Sequence, residues 1–514
     1  MARKIVLGVL IVIGLLVEVN ASIHEYSKGR FSGQGNSFFF YGGSEGLYAS
    51  QIKNETSGTK GKSFIKFESI TFKRSKEAAN RHQEMEHTTG LIEAIVFEIK
   101  DRDKIGGSLS VGSTVLCCTH DLAKEDNCKQ GEIIVHPSDE PGWPKRKQIF
   151  FNGNDEIARM QPDSIIINKS GMYNLYFMFC DPSLKGVVVS GKTIWKNPMG
   201  YLPGRMAPFL KFYGFMSLCY LILGLIWFLQ YVRFWKDILQ LQNCITIVIA
   251  LGMCEMATWY FEYANFNATG HRPIGITIWA VTFGSVKKTV SRLLLLVVSM
   301  GYGVVRPTLG GLTSKVLLLG AIYFVASEAL ELVENVGNIN DLSGKARLFL
   351  VLPVAVLDAF FILWIFTSLS KTLEKLQARR SFAKLELYRK FTNSLAMAVV
   401  LSVAWIGYEL YFKATDPFTE RWRNAWIITA FWILLAFVLL CVICVLWAPS
   451  HNATRYAYSE ETGEDYDEDE VVALTAGGVM STLDVAGRVD RKERRVVNTD
   501  VFSLAEDLEE DKRE

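Results

Sequence analysis

The stretch that decides the architecture runs PIGITIWAVTFGSV (273–286), then Lys287 and Lys288, then TVS and Arg292, then LLLLVVSMGYGVV (293–305). Its two apolar arms together exceed the ~20 residues that a membrane helix needs, yet three cations fall between them. A charge at mid-bilayer costs at least ~2.5–3.5 kcal/mol when it faces lipid, so all three are expected to face the inside of a helical bundle. Lys288 and Arg292 are four residues apart and share a face. Lys287 lies about 100° round the helix and is expected to meet a different neighbour.

Six further apolar stretches of spanning length flank this one, at 207–231, 238–262, 315–337, 346–370, 386–412 and 424–447. Residues 201–448 therefore read as a seven-helix transmembrane domain. Several of its spans carry carboxylates that match the cations: Glu255 and Glu262 in the second, Glu328 and Glu331 in the fourth, Asp358 in the fifth and Glu409 near the end of the sixth. Together with Lys287, Lys288 and Arg292, the acids of the second, fourth and fifth spans outline a polar cavity open to the lumen or to the luminal leaflet. It is a candidate site for a ligand, a lipid headgroup or an ion. The plainer reading is a set of structural ion pairs that fix helix register. Met300-Gly-Tyr-Gly303 has the look of a selectivity filter but occurs once, at a span end, and is read as helix packing. Asn197-Pro-Met-Gly-Tyr201 is read as a turn entering the membrane.

Before the bundle the pattern changes. Arg3 and Lys4, an apolar run from Ile5 to Val17 and a terminal Ala21 read as a cleaved signal peptide over 1–21, too short to span. Residues 22–200 then read as a luminal antiparallel β-sandwich. Its strand-like runs are Phe38–Tyr41, Phe64–Phe72, Leu91–Ile99, Ile133–His136, Ile149–Asn152, Ser164–Asn168, Tyr173–Cys180 and Val187–Ile194, with turn signals between them. Polar Lys76–Thr88 is read as a loop or short surface helix. Cys117, Cys118, Cys128 and Cys180 fall here, and an even count in an oxidising compartment predicts two disulfides. Vicinal pairing is strained, which leaves two connectivities, each joining one of Cys117 and Cys118 to Cys128 and the other to Cys180. The sequons at Asn54, Asn168 and Asn267 fall on the side that the signal peptide makes luminal.

Basic residues collect in the loops expected to be cytosolic, most densely from Lys371 to Lys390, which puts the carboxyl terminus in the cytosol. Residues 449–514 are polar, with a Glu/Asp block at 460–470, and read as a disordered acidic tail. Across the chain, 55 Lys and Arg stand against 53 Asp and Glu, with mean hydropathy +0.18. That balance excludes bulk electrostatic binding to nucleic acid. Without a nucleophile elbow, a phosphate-cradling glycine loop or metal-ligand spacing, the chain is expected to be non-enzymatic, with no cofactor and no metal.

Trp195-Lys-Asn-Pro-Met-Gly-Tyr-Leu-Pro-Gly204 with Phe212-Tyr-Gly214, and Thr282-Phe-Gly-Ser-Val-Lys-Lys-Thr-Val-Ser-Arg292 running on to Arg306-Pro307, resemble the lung seven-transmembrane receptor family. The likeness is greatest to its transmembrane protein 87 branch, in a plant-like version. The resemblance implies a Golgi-dynamics (GOLD-like) β-sandwich on a seven-helix bundle and residence in the Golgi membrane and endosomal pathway, with the plasma membrane as a further location. It also implies a role in membrane trafficking and a cavity able to hold a phospholipid. A luminal cargo protein and cytosolic sorting machinery are the partners expected. Ion conduction, or regulation of ions, and a G-protein-coupled type of sensor are the rival functions.

Overall fold

Strands in the amino-terminal part alternate inward apolar and outward polar residues, and this pattern folds into two antiparallel sheets packed face to face. The computed structural model describes residues 22–50, 61–81, 90–108, 114–124, 128–302, 312–336, 344–379, 382–416 and 419–449. The expected signal peptide, Asn54, Arg306-Pro307 and the tail from 450 lie outside the described residues.

The first sheet orders β1 (Ile23–Arg30), β12 (Val188–Lys196), β4 (Phe64–Lys73) and β10 (Asp163–Ile166), with β9 (Ile157–Arg159) also paired to β4. The second orders β2 (Ser32–Gln34), β3 (Ser37–Leu47), β11 (Gly171–Phe179), β5 (Leu91–Glu98) and β8 (Lys145–Phe150). Between them lies a core that includes Ile65, Phe67, Phe72, Val96, Leu175, Phe177 and Trp195. A small ribbon, β6 (Gly107–Ser108) with β7 (Thr114–Val115), leads into a flap that brings Cys117 and Ile133 onto the outer face of the second sheet, over Ile95, Phe97 and Met178. Covered on both sides, β5 is buried along its whole length, which is why six of its eight residues are apolar and do not alternate with polar ones. The flap is fastened by Cys117–Cys180 and closed on itself by Cys118–Cys128, one of the two pairings left open by the sequence.

Ile133–His136 is not a strand; it makes only isolated bridges, Ile133 with Cys117 and Val135 with Ile105, because it serves as the flap's inner lining. The polar segment opens with a short helix, Lys76–Asn80, capped by the Ser75 side chain. β1 escaped the sequence reading because Ile23–Arg30 is an edge strand rich in charge, with one buried residue, Tyr26.

Seven long helices follow: α1 (Ala207–Arg233), α2 (Gln240–Thr269), α3 (Ile274–Ser299), α4 (Leu312–Val336), α5 (Gly344–Ala378), α6 (Phe382–Thr415) and α7 (Trp426–Leu446). Six of them are long and apolar enough to cross a membrane by length and composition. The seventh, α3, has the length but carries Lys287, Lys288 and Arg292. Small residues allow close approach, as membrane helices require: a side chain at Gly252 of α2 would strike Tyr220 of α1, and one at Gly320 of α4 would meet Leu293 of α3 at 2.6 Å.

The sandwich is fastened to the bundle through bare backbone. The Gly204 N–H donates to Gly46 O at 2.8 Å, and the Trp422 ring lies against both glycines, 2.7 and 2.8 Å from where their β-carbons would stand. Only glycine fits at either place. Asn197 starts the turn that enters the membrane, accepting from Tyr48 N at 2.8 Å and donating to Leu202 O at 2.9 Å. Asn267, at the end of α2, grips the same turn: its carboxamide donates to Met199 O at 3.1 Å and accepts from Leu202 N at 3.2 Å. The structure thus gives this sequon residue an architectural duty and engages the nitrogen a glycan would need, whereas Asn168 is exposed before β11.

One residue from Gly46, Glu45 is buried and receives His24 Nε2 at 3.0 Å and the Ser22 hydroxyl at 3.3 Å. Burial pushes its carboxyl up from the usual glutamate range, against the lowering effect of His24. An acid with a raised native pKa adds stability that is full below the unfolded-state value and lost as pH rises through the native one. Glu45→Gln, which keeps a group for His24 to bond, is therefore expected to raise the melting temperature at neutral pH, with the gain disappearing by about pH 4. Melting curves of the two proteins across that range check this, and a gain that grew on acidification would refute it.

Candidate functional site

α3 is the hub of the bundle, and each of its cations reaches a different helix. Lys287 pairs with Glu255 of α2 and lies 5.8 Å from the centre of the Tyr220 ring of α1. Lys288 pairs with Glu331 of α4. Arg292 donates from Nε to Asp358 Oδ1 of α5 at 2.5 Å, with its guanidinium 4.9 Å from the Tyr323 ring of α4. The prediction that Lys287 meets a different neighbour from Lys288 and Arg292 holds, for the 100° step per residue that separates them.

The three pairs differ in access. Lys287 and Glu255 side chains are 11% and 10% exposed, so that pair is sealed. Lys288 is 47% exposed beside a Glu331 of 15%, and Arg292 and Asp358 are 32% and 31% exposed. The direction of that exposure follows from the helix itself. Trp279, 62% exposed, marks the outward face of α3, and nine residues on, Lys288 stands about 180° away, pointing into the bundle. Its open side therefore faces a cleft.

The walls of this cleft are visible in the burial pattern. From Phe349 to Phe360 on α5, and from Ala396 to Thr415 on α6, no residue is buried. The buried residues of both helices, among them Phe361, Ile365 and Leu369 of α5 and Tyr388, Phe391 and Leu395 of α6, lie toward the end away from the sandwich. Trp405 stacks on Phe431, centroids 4.0 Å apart, and holds α6 to α7. The cleft accordingly opens between α5 and α6 on the half of the bundle that carries the sandwich.

Two of the expected carboxylates behave otherwise. Glu262 does not join the α3 cations; it takes Arg272 Nε at 2.5 Å and the Thr277 hydroxyl at 3.2 Å, near the sandwich end. Arg272, which also donates to Asn335 O at 2.9 Å, was not singled out by the sequence because it sits in a short loop and not in an apolar run. Glu328 accepts from the Thr282 hydroxyl at 2.9 Å and has no cation among the described residues. Glu331 and Glu255 both overlook Gly284, whose β-carbon would stand 3.5 and 3.1 Å from their oxygens, so this glycine gives two carboxylates room to approach α3. Glu409 pairs with Lys413 on its own helix at 2.5 Å and does not reach the α3 cations. The Tyr220 and Tyr323 rings had no signal in the sequence, since a tyrosine in a membrane span is ordinary.

Comparisons with known proteins agree with this arrangement. A family model described as the GOST seven-transmembrane domain matches residues 208–454, from the second residue of α1 to just beyond α7. Transmembrane protein 87B of Mus musculus is 35% identical over 318 residues, 61% of this chain and 55% of that protein. Transmembrane protein 87A of Xenopus tropicalis is 37% identical over 285 residues, 54% of this chain and 51% of that one. Membrane protein PTM1 of Saccharomyces cerevisiae is 25% identical over 403 residues, covering 74% and 75% of the two chains. The chain spans about half the length of the two transmembrane protein 87 relatives. With an antiparallel β domain set on a bundle whose third helix carries three inward cations, the chain carries a GOST seven-transmembrane domain over residues 208–454 and is similar there to the transmembrane protein 87 relatives.

Proposed function

We propose that this protein is a non-enzymatic membrane-trafficking protein of the Golgi and endosomal system, with its sandwich in the lumen and its carboxyl terminus in the cytosol. The sandwich recognises luminal cargo or lipid. The bundle cleft holds a phospholipid whose headgroup meets Lys288 and Arg292 and whose chains leave between α5 and α6. The observation that carries this reading is the half-exposed, inward Lys288 paired with Glu331 on the cleft wall. A register-fixing pair gains nothing from an open side, whereas an ammonium with free donors suits a phosphate. Native mass spectrometry of the purified protein is expected to show one tightly held phospholipid, reduced at least about tenfold in Lys288→Met. A lipid-free protein, or a variant that retains the lipid in full, would sink the reading.

Ion conduction is the rival reading, and Glu328 favours it: the three ion pairs of α3 leave this carboxylate without a cation among the described residues. Current through planar bilayers that is altered by Glu328→Gln would support it, and silent bilayers containing folded protein would count against it.

A further inference from the structure

At the seam between sandwich and bundle stand three arginines, none of them held in an ion pair among the described residues. Arg205 follows Gly204, and Arg421 and Arg423 flank Trp422, so each is one residue from the place where Gly204 and Trp422 touch. Adjacent α-carbons are ~3.8 Å apart, which brings the three side chains within reach of one another. All three are exposed. None forms an ion pair among the described residues; Arg423 lies over the Tyr48 and Trp422 rings at 5.9 and 5.4 Å. Local acids are already engaged or outnumbered. Asp416 accepts from Glu420 N and Arg421 N at 2.7 and 2.8 Å, Glu409 is paired with Lys413, and Glu45, which feels the charge of Arg205, is buried and bonded to His24 and Ser22, which leaves Glu420 against three arginines.

Depth in the membrane selects the partner. Arg205 precedes α1 by two residues and Arg423 precedes α7 by three, and the two helices enter side by side, with Trp426 of α7 6.0 Å from Phe212 of α1. The guanidiniums therefore sit at the height of the phosphates, beneath them an aromatic ring of the kind that favours this interface. We propose that Arg205, Arg421 and Arg423 form a docking site for an anionic phospholipid of the leaflet next to the sandwich, bound through its headgroup phosphate. Arginine suits that task because its planar fork pairs with phosphate oxygens two at a time. Such a lipid fills the wedge between the sandwich and the α6–α7 turn, and so steadies the contact at Gly46 and Gly204.

This site is separate from the cleft and does not rest on it. The test uses full-length protein in detergent, titrated with phosphatidylinositol or phosphatidylcholine and read by native mass spectrometry. Wild type is expected to hold phosphatidylinositol in preference to phosphatidylcholine. The R205Q/R421Q/R423Q variant is expected to lose at least about tenfold in that affinity with an unchanged melting temperature. Arg205→Gln alone, should the triple variant fold poorly, is expected to lose about fivefold. Lys288→Met should leave this binding intact. Equal binding of the two lipids, undiminished binding by the folded variants, or loss of phosphatidylinositol in Lys288→Met would each overturn the proposal, the last by assigning the lipid to the cleft.

Discussion

Lys287→Met is expected to destabilise the bundle by about 3–5 kcal/mol, the usual cost of removing one partner from a buried ion pair. Methionine matches the lysine stem in length, so the loss isolates the charge. It leaves Glu255 enclosed by α1, α2 and α3 without its cation. The double variant Lys287→Met/Glu255→Leu should recover most of the loss or exceed wild type, because an apolar pair of similar volume avoids the desolvation of two ions. Lys288→Met should cost less, since Glu331 borders a cleft that water or a headgroup can enter. Thermal unfolding in detergent, followed by size-exclusion chromatography, measures all three. Equal losses from the two lysines would show that the distinction between a sealed and an open pair is mistaken.

The second large effect concerns the flap. Cys117–Cys180 closes a loop of 63 residues and Cys118–Cys128 one of 10. Loop-closure entropy puts the first at about 4 kcal/mol and the second at about 2.5–3 kcal/mol. The first bond also clamps the flap over Ile95, Phe97 and Met178, so its loss exposes apolar surface on the second sheet. Cys117→Ala/Cys180→Ala is therefore expected to lower the midpoint of sandwich unfolding well below that of Cys118→Ala/Cys128→Ala. Denaturant titration of the two variants decides the order, and a reversed order would refute the account of the flap as a clamped third layer.

Much of this was legible in the residues. The seven helices and most strands announced themselves because membrane spans and half-buried strands impose periods on the chain. Lys287, Lys288 and Arg292 were conspicuous for the opposite reason, as charges where the solvent forbids them. Their acids in α2, α4 and α5 could be named from depth alone, yet not matched one to one, since that depends on how each helix is rotated. Glu262 illustrates the gap: it shares a stripe with Glu255, but the loop residue Arg272 reached it first. The exposed edge strand β1, the flap and the Gly46–Gly204–Trp422 contact had no local signature, because each exists only through partners far along the chain.

The placing of the acids around α3 also bears on the order of synthesis. Glu255 precedes Lys287 and is already made when α3 leaves the ribosome. The counterions of Lys288 and Arg292 lie 43 and 66 residues farther on. For that interval two positive groups lack the neighbours that make them tolerable in the bilayer, so α3 must linger at the insertion machinery or lie at the membrane surface until α4 and α5 arrive. Its integration is thus a joint act of three helices, and a chain cut short after α3 would have no stable place in the lipid.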